Sequence, residues 1–243
     1  MDHFFDTIIW GPSLEGIKTA VELKQQGQKV LLAGKFGFPG GKTTESLASL
    51  FMTEQFDETA FLKRFLKSVR KQRYGVLFQN QQWLLMHPEA IKRACWEILN
   101  AQGIELLFHV VPLEVRKDSD LHDLHVFGRE GEIELTAGRL LDASDDQLIS
   151  NMSGGAGNHD LAINAFFKGS LPFDMPGFNI TRRFETAIGT YINSSVKNVA
   201  YAELENTFNR ELDRLSKETW KKYNARILMI PVYPEIKPLN VNK

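Results

Sequence analysis

Residues Asp6–Gly41, DTIIWGPSLEGIKTAVELKQQGQKVLLAGKFGFPGG, read as strand, glycine turn, helix, strand and glycine loop. Ile8, Ile9 and Trp10, with Phe5 just before them, make the short apolar run of a buried strand. Gly11-Pro12-Ser13 interrupts it. Leu14, Ile17, Ala20, Val21 and Leu23 then recur at roughly helical spacing and give the segment one apolar face. Gly27 ends that helix, and Val30-Leu31-Leu32-Ala33 is a second buried run. A unit of this kind requires a right-handed crossover and a parallel sheet.

The turn carries the spacing G-x-G-x-x-G as Gly11-x-Ser13-x-x-Gly16. The intact pattern works because bare backbone approaches a pyrophosphate at a helix N-terminus, where N–H groups and the helix dipole favour anions. Two glycines of three also suit a βαβ turn that needs them only for tight geometry. The turn alone leaves both readings open.

The wider stretch is more specific. Asp6–Gly41 resembles, without a gap, the N-terminal flavin-binding motif of the FAD-dependent oxidoreductases of the glutathione-reductase-like superfamily. The likeness is greatest to the branch with a phenylalanine-glycine loop after the second strand, here Lys35-Phe36-Gly37-Phe38-Pro39-Gly40-Gly41. A second matching block runs from His87-Pro88-Glu89 to Gly103-Ile104-Glu105-Leu106-Leu107. A third, Gly138-Arg139-Leu140-Leu141-Asp142-Ala143-Ser144-Asp145-Asp146, is similar to the family's strand ending in Asp-Ala-Thr-Gly-Asp. The resemblance implies an α/β fold, a Rossmann-like parallel sheet with flanking helices and a β-meander, over residues 1–150 as an FAD/NAD(P)-binding-like domain. Residues 151–243 would then be a shortened α+β remnant of a substrate or interaction domain.

The chain of 243 residues can bury a sizeable core, and its 43% hydrophobic and 24% charged content is ordinary for a globular protein. A net charge of −1 points to neither a polyanion partner nor a membrane surface. The single cysteine, Cys95, excludes an internal disulfide and, beside Trp96 in an apolar-periodic helix, reads as a small core residue. MDHFFDTII contains acids and runs straight into a strand, unlike a signal peptide, and no apolar run approaches a membrane span. A reducing, cytoplasmic location is expected.

Further along, Thr43 or Thr44 in Thr43–Met52 suits a helix cap. Phe56–Arg73 predicts an amphipathic helix with Phe61, Phe65, Leu66 and Val69 on one side. Its basic side, Lys63 to Arg73, lacks interleaved aromatics and reads as a solvated surface, not a nucleic-acid face. Val76–Phe78 and Trp83–Met86 predict a hairpin, and Pro88 opens a helix whose buried stripe is Ile91, Ala94, Cys95, Ile98 and Leu99. Ile104–Val115 predicts a strand, Leu121–Phe127 and Glu132–Leu135 a meander, and Leu140-Leu141 a return to the parallel sheet. A boundary is expected at Ser150–Asn158, rich in Gly, Ser and Asn. Beyond it come a strand at Leu161–Phe167, an ambiguous Thr181–Tyr191, a long helix at Tyr201–Tyr223, a last strand at Arg226–Tyr233 and a proline-bearing tail.

Residue by residue, the resemblance assigns Gly11 and Gly16 to the first and third glycines and Gly40-Gly41 to the loop. Ser13 replaces the second glycine and adds a Cβ, though its hydroxyl could donate to phosphate. Glu15 lies in the first helical turn, where a carboxylate competes with phosphate for the positive end. Gly34 stands where the family carries the acid that grips the adenosine ribose. The opposing reading is that Lys35, Lys42 or a partner chain compensates. Asp146 matches the aspartate that holds the ribityl chain, and Asp145 replaces a glycine that packs close to the cofactor. The family's flavin-covering glycine segment finds no match in residues 151–243. Each like-charge contact costs on the order of 1 kcal/mol or more, so the expectation is FAD weakened or lost, by roughly 3–5 kcal/mol.

Gly37 to Thr43 also ends in Gly-Lys-Thr after a strand, as a P-loop does, with Leu140-Leu141-Asp142 as the strand bearing a metal-binding aspartate. The P-loop needs four residues between its glycines, and the position that count reaches is Phe36. No nucleophile-and-base set stands out, so catalytic residues stay unassigned. No histidine spacing points to a metal, because His122 and His125 fall on opposite faces of a strand. Phe166, Phe167, Phe173, Phe178 and Phe184 crowd a segment too short for its own core. They are expected either to pack back on the sheet or to form a patch for a partner. The favoured reading is a reduced or split family member acting with a protein partner or as a homo-oligomer. The alternative is a functional FAD-dependent oxidoreductase of unknown substrate.

Overall fold

The computed structural model describes residues 4–152 and 158–237. Its elements in order begin β1 (Phe4–Trp10), α1 (Leu14–Gln25), β2 (Val30–Gly34), α2 (Lys42–Glu45), β3 (Leu50–Met52), α3 (Ala60–Arg70), β4 (Val76–Gln79) and β5 (Trp83–Met86). Then come α4 (Pro88–Gln102), β6 (Glu105–Phe108), β7 (Val111–Asp118), β8 (Leu121–Gly128), β9 (Gly131–Asp142) and α5 (Leu148–Asn151). The last are β10 (Asn158–Lys168), β11 (Ile180–Thr186), β12 (Gly189–Ala200), α6 (Leu204–Tyr223), β13 (Arg226–Met229) and β14 (Glu235–Lys237). Two compact units result: Met1–Gly41 with Lys92–Gly155, and Lys42–Ile91 with Ala156–Lys243. Residues 42–91, which a division at residue 150 leaves in the first part, thus group with the second unit. Of the glycine-rich boundary stretch, residues 153–157 lie outside the described residues.

The first unit is a six-stranded sheet in the order β6-β2-β1-β9-β8-β7. Its first four strands are mutually parallel, with Ile8 beside both Leu31 and Leu140. This is the expected Rossmann-like arrangement. Two details differ. The meander's last strand and the returning parallel strand are one strand, β9, whose Leu135 faces Leu124 of antiparallel β8 while its Leu140 lies beside β1. The expected Ile104–Val115 strand is two, because His109 has φ +59° and turns the chain between β6 and β7. A side chain that leaves the extended region breaks the ladder there. Phe5, Ile8, Trp10, Leu31, Leu124 and Leu135 form the buried core.

The second unit holds a five-stranded antiparallel sheet, β11-β12-β10-β13 with β14 also on β10, and a three-stranded sheet β3-β5-β4. Strand periodicity puts the two faces of β10 to different uses. Ile163, Ala165 and Phe167 pack with Phe208 and Leu215 of α6. Phe166 packs with Tyr191, Leu77 and Leu85, and Phe184 and Phe78 pack against the same cluster. Residues 42–91 thus complete the core around Phe166 and Phe184, while α6 completes that around Phe167. Phe178 joins the α6 side under Arg214, and of the five only Phe173 is largely exposed, at 58%.

Other local departures follow from capping. Lys42 opens a four-residue helix that already contains Thr43 and Thr44, so neither caps it, and the chain is strand by Leu50. The amphipathic helix starts at Ala60 because Thr59 caps it, its Oγ1 accepting from the Leu62 N–H at 3.1 Å. The tail keeps strand structure at Glu235–Lys237, paired with Asp160–Ala162; Pro238 lies outside the described residues. Among the described residues no helix is long and apolar enough to cross a membrane.

Candidate functional site

Gly11, Ser13, Gly16, Gly34, Lys35, Gly40, Gly41 and Asp146 all lie in the first unit, at or beyond the carboxyl ends of β1, β2 and β9, while Lys42 groups with the second. Ligands of open α/β sheets bind at such ends. Gly11 has φ +99°, and a Cβ there would fall 2.3 Å from the Ser144 nitrogen. A Cβ on Gly16 would fall 2.3 Å from the Gly11 oxygen and 3.1 Å from Ala143 Cβ. Both glycines are needed by close backbone packing, whatever the site binds. Ser13 is the N-cap of α1; its Oγ accepts from the Gly16 N–H at 3.1 Å. The serine thus takes one of the donors that a phosphate would use, while its hydroxyl hydrogen stays available to another acceptor. Glu15 does not press on the turn. Its side chain is 72% exposed and pairs with Lys18 at 3.1 Å.

The third matching block reaches the same turn. Asp142 Oδ1 accepts from Ser144 N at 3.0 Å and Oγ at 2.5 Å, and its Oδ2 accepts from Ser150 N at 2.8 Å. Those bonds shape the loop. Among the described residues no group of three or more metal-ligating side chains occurs. Asp145 projects onto the glycine loop: a Cβ on Gly41 would lie 2.6 Å from Asp145 Oδ2 and 2.9 Å from Ser13 Cβ. The acidic group and the capping serine converge on one point. Asp146 is half-buried. Burial pushes its carboxyl above the ordinary value, against a hydrogen bond with Ser144, a backbone bond and the charge of Lys35, with Asp142 adding to the rise.

Gly34, where the ribose-gripping acid is missing, abuts Pro12: a Cβ there would be 2.7 Å from Pro12 Cδ. Pro12 and Gly34 are therefore matched, which spacing alone does not reveal. In the loop that follows, the His109 ring lies on Gly37, Phe36 stacks on Phe38, and Lys92 Nζ sits 4.0 Å from the Phe38 ring centre. Gly40 donates to the Pro12 oxygen at 2.7 Å and bridges to Ser13, which holds the loop against the turn. The P-loop reading fails here. The helix that Gly-Lys-Thr opens is four residues long, too short to present a useful dipole.

Sequence reasoning missed a second site, a cleft of about 600 Å³ within the second unit. Asn164 of β10 and Asn193 of β12 are register partners on its floor. Asn164, 1% exposed, accepts from Tyr191 Oη at 2.7 Å and Asn193 Nδ2 at 2.6 Å and donates to Glu235 Oε2 at 3.0 Å. Thr181 Oγ1 donates to Asn193 Oδ1. Burial holds the Tyr191 phenol well above its ordinary value, helped by Glu235 and opposed by Arg182, so it serves as a neutral donor. Lys197 pairs with Asp160 at 2.5 Å at one end. The signal in the sequence was an amide inside each of two apolar strand runs, LAINAFF and TYINSSV. A buried amide must find partners, so two on paired strands mark a polar patch.

Solved structures share the fold. The chain aligns with a flavoprotein/dehydrogenase from Cytophaga hutchinsonii at 14% identity and TM-score 0.62, over 96% of this chain and 66% of that one. It aligns with an anhydrotetracycline hydroxylase from Streptomyces rimosus at 14% identity and TM-score 0.60, over 90% of this chain and 48% of that one. It aligns with an aklavinone-11 hydroxylase solved with FAD and aklavinone at 16% identity and TM-score 0.57, over 98% of this chain and 53% of that one. The chain thus spans about half to two thirds of the length of these structures. No curated protein matches it in sequence. The family model described as FAD dependent oxidoreductase matches residues 6–231. With the βαβ turn, the phenylalanine-glycine loop and the returning strand in their places, the chain belongs to the FAD dependent oxidoreductase family.

Proposed function

We propose that this chain is a family member whose dinucleotide seat is closed by its own side chains, so that FAD is held weakly or not at all. The observation that carries the reading is Asp145 Oδ2, 2.6 Å from where a Gly41 Cβ would stand and beside the Ser13 that caps α1. A pyrophosphate approaching the turn meets an acidic group at the loop and a helix donor already bound by Ser13 Oγ. As the residues stand, they do not fit it. Gly34, Lys35, Gly40 and Asp146 remain arranged around the seat, and Gly34 offers no acceptor for a ribose.

The second unit's cleft is then the open site, and the chain works as a small-molecule-binding subunit with a protein partner or a second copy. Exposed Leu228, Ile230 and Val232 along and after β13, the strand that ends its sheet, support that contact. The test is a visible absorbance spectrum of the purified protein, followed by FAD titration of the native chain and of Asp145→Gly. The expected result is a colourless or substoichiometric native protein and an affinity at least tenfold higher in the variant. Stoichiometric, tightly held FAD in the native chain overturns the closed seat, and the reading as a complete FAD-dependent oxidoreductase takes its place. Light scattering reads the partner half: a flavin-bound monomer that turns over a substrate alone removes it.

A further inference from the structure

The cleft of the second unit has a definite chemistry. Its floor is the polar stripe of the antiparallel sheet, where Tyr191 and Asn193 of β12, Asn164 of β10 and Glu235 of β14 are joined by hydrogen bonds. Phe166 and Tyr191 pack with apolar residues of the three-stranded sheet, while Asn164, two residues before Phe166, and Asn193 and Ser195, two and four after Tyr191, are polar and line the cleft.

We infer that this cleft binds a small polyhydroxylated carboxylate. Three features lead there. First, charge: Lys42, Arg182, Lys197 and Lys237 line it against only Asp160 and Glu235, so a ligand of negative charge is favoured. Asp160 already balances Lys197 and stands in the field of Lys237 as well. Second, donors: the bonds within the floor use both acceptor sites of the Asn164 oxygen and one of Asn193's, while each of those amides has a second N–H beyond the bond it makes. At the exposed edge of the cleft Asn179 gives one N–H to Ser195 at 2.6 Å. A ligand rich in oxygen acceptors completes them; an apolar one leaves buried amide hydrogens without partners. Third, size and walls: about 600 Å³ lies within the range of small-molecule sites, and Phe51 is a ring-bearing wall residue against which the C–H side of a polyol packs.

This deepens the reading in which the second unit is the open site. The experiment is isothermal titration calorimetry of the whole chain with three probes: gluconate, glucitol, which keeps the hydroxyls without the carboxylate, and benzoate, which keeps the carboxylate without the hydroxyls. Gluconate is expected to bind, with the other two at least tenfold weaker. Arg182→Gln, at an exposed position, is expected to weaken gluconate at least tenfold with an unchanged thermal unfolding curve. Glucitol or benzoate binding as tightly as gluconate overturns the inference. So does gluconate binding that Arg182→Gln leaves unaltered, and so does the absence of heat with all three in a folded protein. The visible spectrum of the same sample reports flavin separately, so a failed closed seat and a failed ligand class give different results.

Discussion

The two units build their candidate sites in opposite ways. In the first, the seat is backbone: glycines brought within contact distance of neighbouring chain, one helix N-terminus, and no room for side chains. Such a seat has one geometry, and in the proposed function a single acidic residue at its rim closes it. In the second, the site is side chain: amides and hydroxyls from adjacent antiparallel strands, bonded to each other, with space left above them. Its floor is held by a network, and its walls carry Lys42, Arg182, Lys197 and Lys237 against Asp160 and Glu235. A family motif therefore marks where a cofactor seat would be built, while Asp145, which meets that seat at Gly41, comes from a distant strand end.

The contrast breaks most severely at Gly11. Gly11→Ala places a Cβ 2.3 Å from the Ser144 nitrogen at a φ of +99°, and both the collision and the strain are in backbone. The expected loss is roughly 3 kcal/mol or more, read as a lower urea midpoint with the slope unchanged. A tolerated alanine means the seat is looser than its backbone packing implies.

Asn164→Ala tests the other unit. It strands the Tyr191 hydroxyl and an Asn193 N–H in a buried setting and removes a donor from half-buried Glu235. A loss of about 2 kcal/mol is expected, again by urea unfolding. A near-neutral effect means water satisfies the floor, and the cleft is wetter than the amide network suggests.

The smallest effect is expected from Asp146→Asn. Burial raises the folded-state pKa of Asp146 above its unfolded value, so the folded protein binds the extra proton. The stability this contributes is fully present below the unfolded value, near the ordinary carboxylate pKa, and is lost as pH rises through the folded one. The amide variant removes that dependence: it should gain on the native chain as pH rises from about 4 to 7. Parallel stability–pH curves mean that Asp146 ionises freely in the fold.

Much of this was legible in the residues. The apolar run Ile8–Trp10, the helical spacing from Leu14, the second run Val30–Ala33 and the Gly-bounded helix from Pro88 fix a parallel β–α–β frame, because buried strands and one-faced helices are local properties of side-chain period. The stripe of α4 and the hairpin Val76–Met86 follow from the same periods. The single strand β9, continuous from the meander into the parallel sheet, was not legible, since its two halves pair with different neighbours. Nor was the core under Phe166 and Phe184: its other side comes from residues 42–91, far away in the chain.

The sequence by itself determined the glycine turn, its family and the absence of an acid at Gly34, since each depends on residue type at short range. Only the tertiary structure decided that Pro12 fills the space at Gly34, that Glu15 turns to Lys18 while Asp145 meets Gly41, and that Asn164 and Asn193 are partners. Those facts depend on which distant segments approach within about 3 Å, the scale on which contact and hydrogen bonding act. Spacing along one strand of text carries no such distances.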